Sequence, residues 1–201
     1  MSIIFNYNKI SLVLFFLFIY SFTNATEKLE NSRLIIIGDS LIQGYGLPKD
    51  KGFVNQLQKK LLEKKVNILL INGGVSGDTT AGGLSRIDWS ITDDINAVAI
   101  SLGANDMLRG IPPSFSKENL SKIIMKIKEN NLPILLIGIR SIENYGTEYK
   151  NEFDSMFSNL ADEFGLFLYP DLMAPIINKQ KDLSLYLQED MLHPNEKGVE
   201  I

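Results

Sequence analysis

Five short apolar runs, each rich in Ile, Leu and Val, constrain this chain more than any other feature. They are "RLIIIG" (33–38), "VNILLIN" (66–72), "INAVAISLG" (95–103), "PILLIGI" (133–139) and "LFLYP" (166–170). None alternates cleanly between apolar and polar residues, which is the pattern of a strand buried on both faces. The segments between them have helical spacing. "FVNQLQKKLLEKK" (53–65) places Phe53, Leu57, Leu61 and Leu62 on one side, and "ENLSKIIMKIKEN" (118–130) does the same with Leu120, Ile123, Ile124 and Ile127. "EYKNEFDSMFSNLADEF" (148–164) adds Phe153, Met156, Phe157 and Leu160 and stops at Gly165. Strands alternating with helices of this length predict an α/β fold, a three-layer α/β/α arrangement around a mainly parallel five-stranded sheet with right-handed crossovers.

The N-terminus departs from this alternation. "ISLVLFFLFIYSF" (10–22) is a continuous apolar run, preceded by Lys9 and followed by the small, polar "TNATE". It has the length of a signal-peptide core and is short for a bilayer span, which needs roughly 17–25 residues. Residues 1–25 are therefore expected to be a secretory signal cleaved after Ala25, leaving residues 26–201 as one domain. The alternative is an uncleaved membrane anchor formed by residues 10–22, since only one basic side chain precedes the run. The chain has no Cys, which excludes a lipidated N-terminal Cys and a disulfide framework. Export without cysteine suits a periplasmic protein of the bacterial envelope. A hydrophobic fraction of 45%, without repeats or low-complexity tracts, fits a single domain with a real core.

Charge narrows the partners. Twenty Lys and Arg stand against 24 Asp and Glu, and loss of residues 1–25 would remove Lys9 and no acid. That balance argues against a nucleic-acid footprint. The lysines of "KKLLEKK" (59–65), spaced by leucines, read as the solvated face of a helix.

In open parallel sheets chemistry collects beyond the carboxyl ends of the strands, and there this chain becomes polar. Gly38-Asp39-Ser40 follows the first run, "GGVSGDTTAGG" (73–83) the second and "GANDMLRG" (103–110) the third, while "DMLHPN" (190–195) stands near the C-terminus. His193 is the only histidine, so with Cys absent a hydrolase built on an imidazole base must use it. Asp190 lies three positions earlier, within reach of the imidazole on a tight turn. Ser40 supplies a nucleophile of the kind that needs such a base and a third group to hold the base's tautomer. Ser40 also reads as a helix N-cap, and the two readings are compatible. Asp39 is expected to tie down the loop rather than transfer protons.

The second loop has glycines but neither a Lys-Ser/Thr ending nor dinucleotide-fingerprint spacing, so phosphate binding is weakly supported. Gly77 can instead offer a bare N–H to a developing oxyanion, with Asp78 capping the following helix. Gly73, Gly74, Gly82 and Gly83 read as turn or close-packing residues. Asn105 is either a neutral donor to a carbonyl oxygen or a turn-forming residue, and Asp106 is expected to make local loop hydrogen bonds.

In this order, "GDSL" with Ser40, "SGDT" with Gly77, "GAND" with Asn105 and "DxxHPN" with Asp190 and His193 resemble the four blocks of the SGNH-hydrolase (GDSL esterase/lipase) superfamily. Beyond the blocks, "GDSLIQGYG", "VSGDTTAGGLSRI" and "IRSIENYGTEYKNEF" are similar to its bacterial periplasmic arylesterase, thioesterase and lysophospholipase branch, so the likeness runs from about residue 33 to the end. The resemblance implies a flavodoxin-like α/β/α serine hydrolase without metal or organic cofactor. Ser40 would be the nucleophile, His193 the general base and acid, and Asp190 its orienting partner. The Ser40 and Gly77 N–H groups and the Asn105 side chain would form the oxyanion hole. Two features depart from the family's pattern. The chain ends eight residues after His193 at "NEKGVEI", so the usual C-terminal helix is expected to be cut short. The Gly-Gly pair at 73–74 is expected to loosen the loop carrying Gly77.

The expected reaction is hydrolysis of carboxylic esters or thioesters through an acyl-Ser40 intermediate. Met107, Leu108, Ile111 and Pro112, with Ile142 and Tyr145, are expected to line an acyl groove. Because acyl-CoA is cytosolic, export favours lysophospholipids or other carboxylic esters as substrates. A monomer with transient membrane contact and no nucleic-acid partner is expected. Two alternatives are a carbohydrate O-acetylesterase on the same scaffold and a non-catalytic anion-binding module.

Overall fold

The computed structural model describes residues 32–178 and 182–201, and the signal or anchor expected within residues 1–25 lies outside the described residues. Each apolar run contributes one strand: β1 (Ser32–Gly38), β2 (Ile68–Gly74), β3 (Ala97–Ser101), β4 (Ile134–Ile137) and β5 (Phe167–Tyr169). All pairings are parallel, in the order β2-β1-β3-β4-β5. The chain therefore winds outward from β1 to β2 and then returns to build β3, β4 and β5 on β1's other side. The reversal leaves a crevice between the carboxyl ends of β1 and β3.

Side chains of β1 alternate between two cores. Ile35 and Ile37 join Val98 and Ile100 beneath one helical layer, whereas Leu34 and Ile36 join Ala99 and Ile137 beneath the other. The first layer holds α3 (Thr80–Ser90), α5 (Pro113–Glu129) and α6 (Gly146–Phe164); the second holds α2 (Phe53–Glu63). Shorter helices are α1 (Ser40–Gln43), α4 (Ala104–Leu108), α7 (Ala174–Ile177) and α8 (Glu196–Val199). Leu120, Ile123, Ile124 and Ile127 are fully buried on α5, as are Phe153 and Leu160 on α6. The latter helix ends at Gly165, whose φ of +64° suits a residue without Cβ. Burial of side chains this size contributes about 1.5–3 kcal/mol each. Among the described residues no helix is long and apolar enough to cross a membrane.

Three expectations change. On α2 the buried stripe uses Val54 with Leu61, while Leu62 is 57% exposed. The 3.6-residue period admits either choice, and tertiary contact selects one. Strand β2 lies at the sheet edge and is not buried on both faces: Ile68 and Leu70 are covered, whereas Leu69 is 49% exposed. Gly73 and Gly74 do not loosen a loop, because both belong to β2 and pair with Ile37 and Gly38. A Cβ at position 74 would lie 2.8 Å from Gln43 Cα and overlap its backbone nitrogen. The absent side chain lets α1 pack directly on β2, where Asn72 Nδ2 donates to Ile42 O at 3.0 Å. Gly74→Ala is expected to lower stability by about 1–3 kcal/mol through overpacking against backbone, measured by urea unfolding; unchanged stability would contradict this packing role.

Candidate active site

The strand-to-helix turn after β1 is unusually tight. A Cβ on Gly38 would overlap the Ile42 side chain, so this turn requires glycine. Asp39, not Ser40, is the N-cap of α1, its Oδ1 accepting the Leu41 N–H at 3.0 Å. That frees the Ser40 hydroxyl at the first helical position. The Ser40 N–H is among those a helix start leaves without an intrahelical acceptor. Asp39 is 0% exposed, and its Oδ2 has no hydrogen-bond partner among the described residues. Burial pushes its carboxyl up to about 6, opposed by the Leu41 N–H and electrostatically by nearby His193.

His193 Nε2 lies 2.9 Å from Ser40 Oγ, and His193 Nδ1 lies 2.6 Å from Asp190 Oδ2. Asp190 Oδ1 accepts the Leu192 and His193 N–H groups at 2.9 and 3.0 Å. Desolvation alone would raise the Asp190 carboxyl; those two N–H groups and the imidazole overcome it and hold the value at about 2. An ionised carboxylate accepts but does not donate, so Nδ1 carries the proton and Nε2 is left to accept from the serine hydroxyl. A hydroxyl, imidazole and carboxylate in this relation can activate the oxygen for attack on a carbonyl carbon.

Sequence reasoning missed the residues that hold the histidine in place. Gln188 N donates to His193 O at 2.8 Å, and Gln188 Nε2 donates to Tyr45 O at 2.8 Å and Pro194 O at 3.0 Å. Leu187 and Pro194 form an antiparallel bridge. The Tyr45 ring lies 4.8 Å from the imidazole, centroid to centroid. No sequence signal marks Gln188, whereas Tyr45 falls inside the "GDSLIQGYG" stretch.

Gly77 and Asn105 stand on the neighbouring loops. Gly77 has φ of +82°, a conformation that glycine adopts readily. Its carbonyl accepts from Arg109 Nη2 at 2.9 Å, and its N–H donates to no group among the described residues. Asn105 sits on α4 and donates through Nδ2 to Asp78 O at 3.0 Å, and the amide has a second hydrogen to offer. Thr79, not Asp78, caps α3, with Oγ1 accepting from Gly82 N at 3.2 Å. Asp78 pairs instead with Arg86. Asp106 is buried, and its bonds are not local: it accepts from Thr80 N and Oγ1 at 2.8 and 2.5 Å and from Ser116 Oγ at 3.1 Å, joining α3, α4 and α5.

Of the groove residues, Met107 is 5% exposed and packs into the core beneath α4, so it offers nothing to a ligand. Leu108, Ile142 and Tyr145 are exposed to 39%, 37% and 44%. Pro112 is also exposed and Ile111 partly so. Tyr145 Oη donates to Leu108 O at 3.0 Å and Tyr149 Oη to Ile111 O at 2.9 Å, tying the end of α4 and the residues after it to the start of α6. Among the described residues no group of three or more His, Cys, Asp or Glu is arranged to hold a metal ion.

Residues 36–201 match the GDSL-like Lipase/Acylhydrolase family. The chain is 38% identical over 192 residues to an arylesterase from Vibrio mimicus, covering 94% of this chain and 90% of that protein. It is 33% identical to thioesterase 1/protease 1/lysophospholipase L1 of Escherichia coli (strain K12), covering 81% and 75% respectively. Among solved structures, AlinE4, an SGNH-hydrolase family esterase, superposes with a TM-score of 0.75 at 37% identity over 85% of this chain and 90% of that one. The psychrotrophic esterase EstA from Pseudoalteromonas sp. superposes with a TM-score of 0.78 at 34% identity over 84% and 92%.

Because the Asp39 carboxyl protonates more readily folded than at its ordinary value of 3.8, its contribution to stability is present below about pH 4 and lost as pH rises through 6. Asp39→Asn keeps an oxygen for the Leu41 N–H without the charge. Relative to the parent, this variant should gain up to about 3 kcal/mol between pH 4 and pH 7. Urea midpoints at the two pH values measure that difference, and an equal difference at both would reject the buried carboxylate as its source.

Proposed function

The chain belongs to the GDSL-like lipase/acylhydrolase family, and on that premise we propose that Ser40 is its nucleophile, His193 its general base and acid, and Asp190 the group that orients the imidazole. The protein is a serine ester hydrolase. The observation that carries the residue assignment is the pair of contacts on one imidazole, 2.9 Å to Ser40 Oγ and 2.6 Å to Asp190 Oδ2.

As Ser40 Oγ attacks the substrate carbonyl, His193 Nε2 takes the hydroxyl proton and Asp190 stabilises the imidazolium. Charge moves onto the carbonyl oxygen, where the N–H groups of Ser40 and Gly77 and the Asn105 amide receive it. Collapse breaks the bond to the leaving alkoxide or thiolate, which departs with the proton from His193, and acyl-Ser40 remains. The imidazole then takes a proton from water, the resulting hydroxide attacks the acyl carbon, and Ser40 is released with its proton restored.

The substrates proposed are esters of acyl chains, with Leu108, Ile111, Pro112, Ile142 and Tyr145 offering the chain its apolar surface. The "ISLVLFFLFIYSF" run supports export to the periplasm. There lysophospholipids and other carboxylic esters are available and acyl-CoA is not. Rates on lysophosphatidylcholine, acyl-CoA and p-nitrophenyl esters of graded chain length test this; an acetyl-only preference would reject the acyl groove.

A fluorophosphonate probe is expected to label the parent and not Ser40→Ala, and equal labelling of both would overturn the nucleophile. Asn105→Ala should lower kcat on p-nitrophenyl butyrate by about 100-fold with a much smaller change in KM, the effect of losing one oxyanion donor.

A further inference from the structure

The three proposed oxyanion donors come from three separate segments: the β1–α1 turn, the β2–α3 loop and the start of α4. Sheet hydrogen bonding ends before each of them. Their relative positions must therefore be set by other contacts, and a misplacement of about 1 Å at such a site costs roughly a hundredfold in rate.

We infer that Arg86, on α3, is a positioning residue that holds all three oxyanion donors in register. Its Nε donates to Asp78 Oδ2 at 2.6 Å and its Nη2 to Gly38 O at 3.0 Å. Gly38 lies two residues before Ser40, and Asp78 adjoins Gly77. The Asp78 carbonyl in turn accepts from Asn105 Nδ2 at 3.0 Å. A single guanidinium is thus linked to the Ser40 N–H, the Gly77 N–H and the Asn105 amide through very few intervening bonds.

The surroundings suit this part. The Arg86 and Asp78 side chains are 22% and 15% exposed, so their charge-assisted bonds are less screened than those of a surface pair. Gly38 O also accepts from Val75 N at 3.0 Å. The same carbonyl thereby fastens the start of the 75–78 loop directly and its end through Arg86. A Cβ on Gly82 would lie 3.1 Å from Asp78 Cγ, so the glycine leaves space for the carboxylate beside the arginine. Arg109 caps the end of α4, where its N–H donates to Asn105 O at 3.2 Å, and its exposed side chain reaches Gly77 O, but among the described residues it makes no bond to the turn that carries Ser40.

This inference rests on the proposed oxyanion hole, and the test separates the two. Kinetics on p-nitrophenyl butyrate are measured for Arg86→Ala, Arg86→Lys, Asp78→Asn and Asn105→Ala, each well below its thermal midpoint, together with inhibition by butylboronic acid as a tetrahedral mimic. Arg86→Ala is expected to lose about 100-fold in kcat with KM within threefold. Boronate affinity should fall in parallel. Lysine cannot span both acceptors with a planar fork, so Arg86→Lys should recover less than a tenth of the lost rate. Added methylguanidinium should partly rescue Arg86→Ala and leave Arg86→Lys unchanged. If Arg86→Ala fails to fold, Asp78→Asn carries the test, because it weakens the same link while keeping the Asp78 carbonyl for Asn105. Should Asn105→Ala lose rate while the Arg86 and Asp78 variants stay within threefold of the parent, the positioning role is overturned and the hole survives. Should Asn105→Ala also stay within threefold, the hole itself is overturned, and this inference with it.

Discussion

The site depends on one contact, the hydrogen bond between Ser40 and His193, which joins groups 153 positions apart in the chain. No strand pairing brings them together, because the histidine lies beyond the last strand of the sheet. The connection is made by side chain to backbone instead. Gln188 grips the carbonyl of Tyr45 with its amide and the carbonyl of His193 with its own N–H. A long chain closure costs little more entropy than a moderate one, so the difficulty is precision rather than reach. The turn from Asp190 to His193 supplies that precision, with one carboxylate binding two backbone N–H groups and the imidazole.

Around that contact the molecule places two aspartates in opposite surroundings. Asp39 is buried, with one oxygen that has no partner among the described residues, and its carboxyl lies well above its ordinary range. Asp190 is partly exposed yet surrounded by donors, which hold it low. Their environments match their parts. The first caps a four-residue helix that presents the serine, and the second must stay ionised to keep the imidazole in one tautomer. Asp78 is a third case, fastened to Arg86. Three carboxylates next to motif residues thus serve as cap, tautomer anchor and loop tie.

The sheet order explains why these groups converge. Strands β2 and β3 flank β1, so the loops following all three open at the same end of the molecule, on either side of the switch point. Gly74 lets the serine helix settle on β2, and Asp106 ties the helices behind Asn105 to one another. The Met107 side chain turns into this packed layer and leaves Leu108 and Tyr145 to face solvent. The proposed acyl groove therefore draws on fewer residues of that loop than its composition suggests.

Apolar periodicity along the chain was enough to determine the α/β class, the five strands and the buried stripes of α5 and α6, because buried area is written directly into the pattern of Ile, Leu and Phe. The types of the proposed reacting groups could be read there too, since a single histidine in a chain without cysteine leaves few chemistries. Only the tertiary structure decided which of Val54 and Leu62 turns inward, that Asp39 rather than Ser40 caps the first helix, and that Arg86 and Gln188 fasten loops to one another. These outcomes depend on distances between segments remote in sequence. Local propensity and spacing are silent about them, because a hydrogen bond is decided by a few tenths of an ångström that only the packed molecule establishes.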